Sequence, residues 1–104
     1  MAVEVIRVTD RRFNHAVARP FAARMAAAWE RGATLVALDF TEVVTMDSLG
    51  IAALVAAYRA RPPGARIVLC GLNDYVRDVL EITQMFRFFD AYATAAAVLL
   101  AAAA

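Results

Sequence analysis

The chain has 104 residues, 62% of them hydrophobic, and a formal net charge of +1. This size fits one domain whose core needs no disulfide or metal ion for support. The nearly neutral charge argues against a dedicated nucleic-acid-binding protein, which normally carries a strongly basic face. The single cysteine, Cys70, excludes an intramolecular disulfide and a multi-cysteine metal site, and it fits a packed thiol in a reducing compartment.

The first 40 residues predict a strand, a helix and a second strand. Val3–Val8 alternates in part and is rich in β-branched residues, which is typical of a strand. Residues 10–14 then turn the chain, and we interpret them as a short hairpin arm. The helix that follows has Pro20 in its first turn, ends at Gly32 and repeats an apolar residue every four positions, at Val17, Phe21, Met25 and Trp29. Thr34–Phe40 is almost continuously apolar, which predicts a buried parallel strand.

The next segments predict a second helix and a third buried strand. The helix starts at Ser48, stops at Pro62-Pro63-Gly64 and has its apolar residues at helical spacing, at Ile51, Leu54, Val55 and Tyr58. Arg66–Cys70 repeats the buried-strand pattern and ends at Gly71. Either Asn73 or Asp74 is expected to cap a third helix, whose shared face is formed by Val76, Val79, Leu80 and Thr83.

The C-terminal part predicts a last strand and a closing helix. The strand is assigned to Phe88–Tyr92, with the cluster Phe86–Phe89 in the core. Thr94 is expected to cap an alanine-rich helix whose apolar side is formed by Val98, Leu99 and Leu100. Strands therefore alternate with helices along the whole chain, which predicts a small α/β domain with a mostly parallel central sheet and helices packed against it.

Most enzyme motifs are absent from the sequence. The four glycines are widely spaced and form no phosphate-binding loop. Ser48 and His15 are the only serine and the only histidine, but no nucleophile-elbow sequence surrounds the serine. A phospho-aspartate site at Asp39 would need a lysine, and the chain has none. We therefore expect a protein that is not an enzyme and binds no cofactor and no metal, with His15 on the surface.

One segment, residues 38–51, carries a recognisable motif. It consists of a buried strand, a loop, and Asp47-Ser48-Leu49-Gly50 at the start of a helix. This arrangement resembles the STAS domain of bacterial anti-anti-sigma factors, also called anti-sigma factor antagonists. The order of elements fits this family over nearly the whole chain, and residues 76–82 resemble its third-helix region. The resemblance implies a single STAS domain over residues 1–104.

The resemblance also implies a phosphorylation-controlled switch in transcription regulation. Ser48 matches the serine that an anti-sigma factor serine kinase phosphorylates, and Asp47 matches the acid beside it. The unphosphorylated protein would bind this kinase and free the sigma factor, and a PP2C-type phosphatase would reset the switch. The partner-binding residues implied at this surface are Asn14, Met46, Asp47, Ser48, Leu49 and Gly50.

Helix geometry gives an independent argument for Ser48. As an N-cap, its hydroxyl would accept hydrogen bonds from the N–H groups of the first turn. A phosphate there would meet the same donors and the positive end of the helix dipole, so the fold would survive phosphorylation. Gly50 would leave room for a partner's backbone. The alternatives are that Ser48 is only a helix cap, that Asp47 is only a turn residue or a dipole acid, and that Met46, Met85 and Phe86 only pack.

Three positions depart from the family pattern. The turn after the first strand usually carries a glycine and later an acid, where this chain has Asp10 and Asn14. Leu49 stands where a small residue is more frequent, so it either narrows access to Ser48 or forms part of an altered partner surface.

A different function stays open beside the switch. Leu69–Asp74 is similar to the small cytoplasmic STAS subunit of bacterial phospholipid transporters, which would dock constitutively on an ATPase. A small-ligand sensor on the same fold is a third alternative. No polybasic run, signal sequence or spanning apolar stretch is visible in the sequence, so we expect a cytoplasmic protein without nucleic-acid binding or direct membrane insertion.

Overall fold

The computed structural model describes residues 2–104. Over this range, strands alternate with helices in the order β1 (Val3–Arg7), β2 (Arg12–Phe13), α1 (Ala18–Glu30), β3 (Leu35–Asp39), β4 (Thr45–Met46), α2 (Ser48–Ala60), β5 (Arg66–Cys70), α3 (Asp74–Ile82), β6 (Asp90–Tyr92) and α4 (Ala95–Ala103). Short 3₁₀ helices, His15–Val17 and Met85–Arg87, precede α1 and β6. The predicted α/β class is confirmed.

The central sheet is parallel and has the strand order β1-β3-β5-β6. Its register pairs Val5 with Ala37, and Ala37 in turn with Val68. The strands therefore all end at one edge of the sheet, which we call the carboxyl edge. Helices α1, α2 and α3 cover one face of the sheet, and α4 covers the other. Since α2 and α3 follow β4 and β5, both helices begin at the carboxyl edge.

The face under α1, α2 and α3 holds the larger core. Its fully buried side chains include Phe13, Phe40, Leu38, Leu54, Leu69, Leu80 and Phe89. The ring of Phe13 contacts Phe21 edge-on at 5.3 Å and Phe40 at 5.2 Å between centroids. Burial of one such side chain contributes roughly 1.5–3 kcal/mol. This core supports the start of α2, because β2 and the first turn of that helix pack on it.

Cys70 ends β5 inside the smaller core on the α4 side. Burial, together with the charge of Asp39, raises the pKa of its thiol from 9.0 to about 11. The thiol is therefore neutral, and it is packed, as the sequence predicted.

Residues 10–14 do not form the predicted hairpin arm. Arg12 pairs with Thr45 and Phe13 with Met46, so β2 and β4 form a separate two-stranded parallel ribbon. Phe13 and Met46 are both buried. Pairing with the distant β4 places two large side chains in the core, and this burial explains why the segment does not fold back on β1.

The predicted apolar side of α4 is wrong for two of its three residues. Val98 is buried, but Leu99 is 47% exposed and Leu100 is 74% exposed. The stripe that packs on the sheet consists of Ala95, Val98 and Ala102, which follow the three-to-four-residue spacing of one helix face. Leu99 and Leu100 lie off this stripe.

The aromatic cluster before β6 is only partly in the core. Phe89 is buried and Phe86 is half-buried, but Phe88 is 48% exposed. Phe88 ends the 3₁₀ helix Met85–Arg87 as its C-cap, and β6 begins at Asp90 rather than at the predicted Phe88. Phe88 therefore lies on the surface beside α2.

Candidate partner-binding site at the start of α2

The segment before α2 is held in place by β2. The backbone N–H groups of Val44 and Thr45 both donate to the Arg11 carbonyl, at 2.7 and 3.1 Å. The Asp47 N–H donates to the Phe13 carbonyl at 3.3 Å. These bonds fix the direction in which the chain enters the helix, so the first turn of α2 presents its side chains in a defined arrangement.

Gly50 brings the first turn of α2 against β2. A Cβ atom at this position would lie 2.0 Å from the Phe13 carbonyl oxygen and 2.9 Å from the Phe13 ring. Only glycine fits at this distance. The sequence-based view that Gly50 leaves room for a partner's backbone is therefore wrong, because β2 of the same chain occupies that space.

Asp47, and not Ser48, is the N-cap of α2. Its Oδ1 accepts hydrogen bonds from the Leu49 and Gly50 N–H groups, both at 3.0 Å. Asp47 has extended backbone angles, while Ser48 is the first helical residue. The alternative that Ser48 is only a helix cap is wrong as well. Because the Asp47 carboxylate already accepts from the Leu49 and Gly50 N–H groups, a phosphate on Ser48 would stand beside that carboxylate and would not find these two donors vacant.

The hydroxyl of Ser48 has no structural task. Ser48 is exposed, and within residues 2–104 its hydroxyl makes no hydrogen bond. The Leu49, Gly50 and Ile51 N–H groups have acceptors without it, since the first two donate to the Asp47 side chain and the third donates to the Asp47 carbonyl at 3.0 Å. The side chain is thus available both for a modifying enzyme and for a binding partner.

Exposed apolar side chains lie at the same edge of the molecule as Ser48. Leu49 is 53% exposed, Val44 43% and Tyr75 55%. The Asn73 side-chain amide joins two of their segments, because it donates to the Val43 carbonyl at 3.2 Å and to the Val44 carbonyl at 3.1 Å. The β3–β4 loop and the start of α3 are thereby held next to each other. We call Val44, Ser48, Leu49 and Tyr75 the switch surface.

The other predicted partner residues have different positions. The Met46 side chain is buried in the core, as expected by the alternative that Met46 only packs. Asn14 is half-buried, and its Oδ1 accepts from the Ala16 N–H at 3.0 Å, which caps the 3₁₀ helix. His15 is exposed, as predicted.

Three residues of this site were not predicted from the sequence: Val44, Tyr75 and Asn73. Contacts between separate loops leave no periodic pattern in the sequence, so neither the exposed side chains nor the hydrogen bonds of Asn73 could be inferred from it.

Neither a metal-binding cluster nor a membrane-spanning helix is present in the described residues. No group of three His, Cys, Asp or Glu side chains in residues 2–104 is arranged to hold a metal ion. Over the same range, every helix is too short or too polar to cross a bilayer.

Taken together, a parallel sheet, helices on both faces and a serine at the start of α2 define a small α/β domain of the STAS type. The STAS domain family matches residues 5–98 by sequence. The chain belongs to this family. No curated protein sequence matches it at a significant level.

Solved structures of the same fold include several anti-sigma factor antagonists. One from Mycobacterium paratuberculosis is 19% identical with a TM-score of 0.83, covering 96% of this chain and 85% of its own. Unphosphorylated SpoIIAA is 18% identical with a TM-score of 0.77, covering 100% and 92%. The phosphorylated form of the Bacillus cell fate determinant SpoIIAA is 21% identical with a TM-score of 0.63, covering 90% and 86%. At these identities the likeness shows the fold.

Proposed function

We propose that this chain is an anti-sigma factor antagonist whose binding to an anti-sigma serine kinase is controlled by phosphorylation of Ser48. The observation that carries this proposal is the exposed Ser48 hydroxyl, which makes no hydrogen bond within the described chain, in a helix turn that Asp47 caps. A residue in this position accepts a modification without any loss of helix capping.

The modification is a phosphoryl transfer from ATP held by the kinase. The Ser48 oxygen forms a bond to the γ-phosphorus, the bond between the β- and γ-phosphates breaks, and ADP leaves with its electron pair. The hydroxyl proton passes to a base of the kinase. This chain contributes a positioned nucleophile, and the kinase contributes the nucleotide site and the base. We assign no enzymatic activity to the chain itself.

Charge explains how the modification would end binding. A phosphate adds about −1.5 to −2 charge, and it would stand beside the Asp47 carboxylate. In the unmodified protein the neighbouring exposed side chains, Val44, Leu49 and Tyr75, are apolar or weakly polar. A partner that covers them would bury the dianion next to a second negative charge, and such burial is strongly unfavourable.

The remaining parts of the proposal follow from the family. The unphosphorylated chain would bind the kinase and release the sigma factor, and a PP2C-type phosphatase would restore the serine. We place this cycle in the cytoplasm and treat residues 1–104 as one STAS domain. Support for the phosphorylation cycle comes from SpoIIAA, whose unphosphorylated and phosphorylated forms both share this fold.

The intact mass of the protein from its native cell tests the modification. The protein is purified in two growth states, together with a Ser48→Ala variant. We expect an added mass of about 80 Da, the size of one phosphoryl group, in one state of the unsubstituted protein and in neither state of the variant. An unchanged mass in every state would contradict the switch.

Binding is tested with four tagged forms of the full chain: unsubstituted, Ser48→Ala, Ser48→Asp and Ala96→Asp. Ala96 is exposed in the first turn of α4 on the opposite face of the sheet, so it is a matched control for a new charge at a helix start. We expect every form except Ser48→Asp to retain a serine kinase. Equal retention by Ser48→Asp would argue against the proposal.

The second candidate is the constitutive subunit of a phospholipid transporter. The observation in its favour is that Leu49, Val44 and Tyr75 are large exposed side chains at the same edge of the molecule, because such side chains suit a docking surface that needs no modification of Ser48. In this case all four tagged forms would retain a transport ATPase, and no phosphate would be found on Ser48.

A further inference from the structure

A second surface feature lies at the opposite end of α2 from the switch surface. A cavity of about 130 Å³ opens between the last turns of α2 and the segment before β6, lined by Val55, Tyr58, Arg59, Phe88 and Phe89. A cavity of roughly 150 Å³ accommodates a benzene-sized group, so this one has room for a single bulky side chain. Ser48 and Tyr58 are ten residues apart on one helix, which separates the two features by about 15 Å.

The apolar walls of this cavity are held in fixed positions. The Tyr58 ring contacts Phe88 at 5.3 Å and Phe89 at 5.6 Å between centroids. The Arg61 guanidinium lies 3.7 Å from the centroid of the Tyr58 ring. It also donates to the Tyr58 carbonyl at 2.6 Å and to the Ala65 carbonyl at 3.0 Å. The cavity is thus formed before any ligand arrives, which lowers the entropic cost of binding.

The charge around this cavity is positive. A neighbouring cavity of about 120 Å³ shares Tyr58 and Phe88 with the first, and it is also lined by Arg61, Arg66 and Asp90. Arg66 pairs with Asp90 at 3.0 Å, whereas Arg61 is bound to carbonyls and keeps its charge. Arg59 has no ion pair or hydrogen bond within the described chain. The two cavities therefore combine exposed aromatic surface with two guanidinium charges that no carboxylate neutralises.

We propose that these adjoining cavities bind an acidic peptide segment of a partner protein, which inserts one bulky apolar side chain between Tyr58 and Phe88 and places its carboxylates near Arg59 and Arg61. Arginine forms bidentate hydrogen bonds with carboxylates, and a rigid aromatic pocket with an arginine at its rim is a frequent composition of binding hot spots. The site is independent of Ser48 and of the proposed switch.

Selection from a random 12-residue peptide library on the full chain identifies the ligand class. We expect the enriched peptides to share one aromatic or large aliphatic residue flanked by Asp or Glu. The Kd of one enriched peptide is then measured by fluorescence anisotropy. Enrichment of peptides without acidic residues, or no enrichment, would overturn the proposal, as would displacement of the peptide by a single-stranded dT oligonucleotide.

Three variants locate the binding site. We expect Arg59→Glu and Phe88→Ala each to weaken binding about tenfold, because one reverses the rim charge and the other removes an exposed wall. Arg19→Glu makes the same charge change at an exposed position of α1 and should leave the Kd unchanged. Equal weakening by Arg19→Glu would mean that only net charge matters, and it would overturn the assignment. Unchanged binding to Ser48→Asp separates this site from the switch.

Discussion

The two ends of α2 are held by different means. At the N-terminal end, the Asp47 carboxylate accepts from two backbone N–H groups. At the C-terminal end, the Arg61 guanidinium donates to two backbone carbonyls and covers the Tyr58 ring. In both turns a neighbouring exposed side chain takes no part in the capping: Ser48 at the first end and Arg59 at the second.

At both ends of α2, the residue that caps the helix differs from the residue that we propose contacts a partner. Each end uses one charged side chain to bind backbone groups, and each has a nearby exposed residue, Ser48 or Arg59, that we propose contacts a partner. The surfaces differ in charge, because Ser48 is neutral beside an aspartate while Arg59 is positive beside a second arginine. We therefore expect a modification at Ser48 to alter one surface without changing the stability of the helix or the chemistry of the other.

The largest expected effect tests the N-terminal end. Gly50→Ala places a Cβ 2.0 Å from the Phe13 carbonyl oxygen, and we expect this overlap to destabilise the fold by about 3 kcal/mol. Urea unfolding followed by circular dichroism measures the change. The control is Gly64→Ala, where no atom lies within 4 Å of the new Cβ and only the left-handed backbone conformation costs about 1 kcal/mol. Equal losses in the free energy of unfolding of the two variants would show that β2 shifts to accommodate the new methyl group at little cost.

Removing the N-terminal cap gives the next effect. Asp47→Ala leaves the Leu49 and Gly50 N–H groups without their acceptor, and we expect a loss of about 1 kcal/mol in the free energy of unfolding. Ser48→Ala should change it by less than about 0.5 kcal/mol. Thermal unfolding of both variants decides which residue caps the helix, and a larger loss for Ser48→Ala would reverse our assignment.

Removing the Arg61 contacts at the C-terminal end of α2 should reduce the free energy of unfolding by a similar or smaller amount. Arg61→Ala removes two hydrogen bonds to carbonyls and the cation–π contact with Tyr58, and we expect a net loss of about 1 kcal/mol for this half-buried side chain. Arg59→Ala should stay within about 0.5 kcal/mol. If both substitutions destabilised the protein equally, the division between capping and recognition would not hold at this end.

The smallest expected effect concerns stability in the modified state. Ser48→Asp adds a negative charge where the helix dipole favours it and the neighbouring Asp47 carboxylate opposes it. We expect the free energy of unfolding to change by less than about 0.5 kcal/mol. A loss above 1 kcal/mol, measured by chemical denaturation, would contradict our expectation that the first turn of α2 tolerates a negative charge at residue 48.

The sequence predicted those elements whose residues form an uninterrupted pattern. β5 begins and ends where predicted, because Arg66–Cys70 is a nearly continuous apolar run between turn residues. The sequence alone could not distinguish Ser48 from Asp47 as the N-cap of α2, since serine and aspartate have nearly equal N-cap preferences. It also missed the β2–β4 ribbon. A two-residue strand carries no periodicity, and its pairing depends on the distant burial of Phe13 and Met46.

This ribbon has a consequence for the order of folding. A ladder of two residue pairs is too short to persist alone, and closing the loop between Phe13 and Met46 carries an entropic cost that α1 and β3 must first offset. The ordered switch surface should therefore form late and open early. A nascent or damaged chain would not present Ser48 in its ordered geometry, so recognition of this surface would also report that the domain has folded.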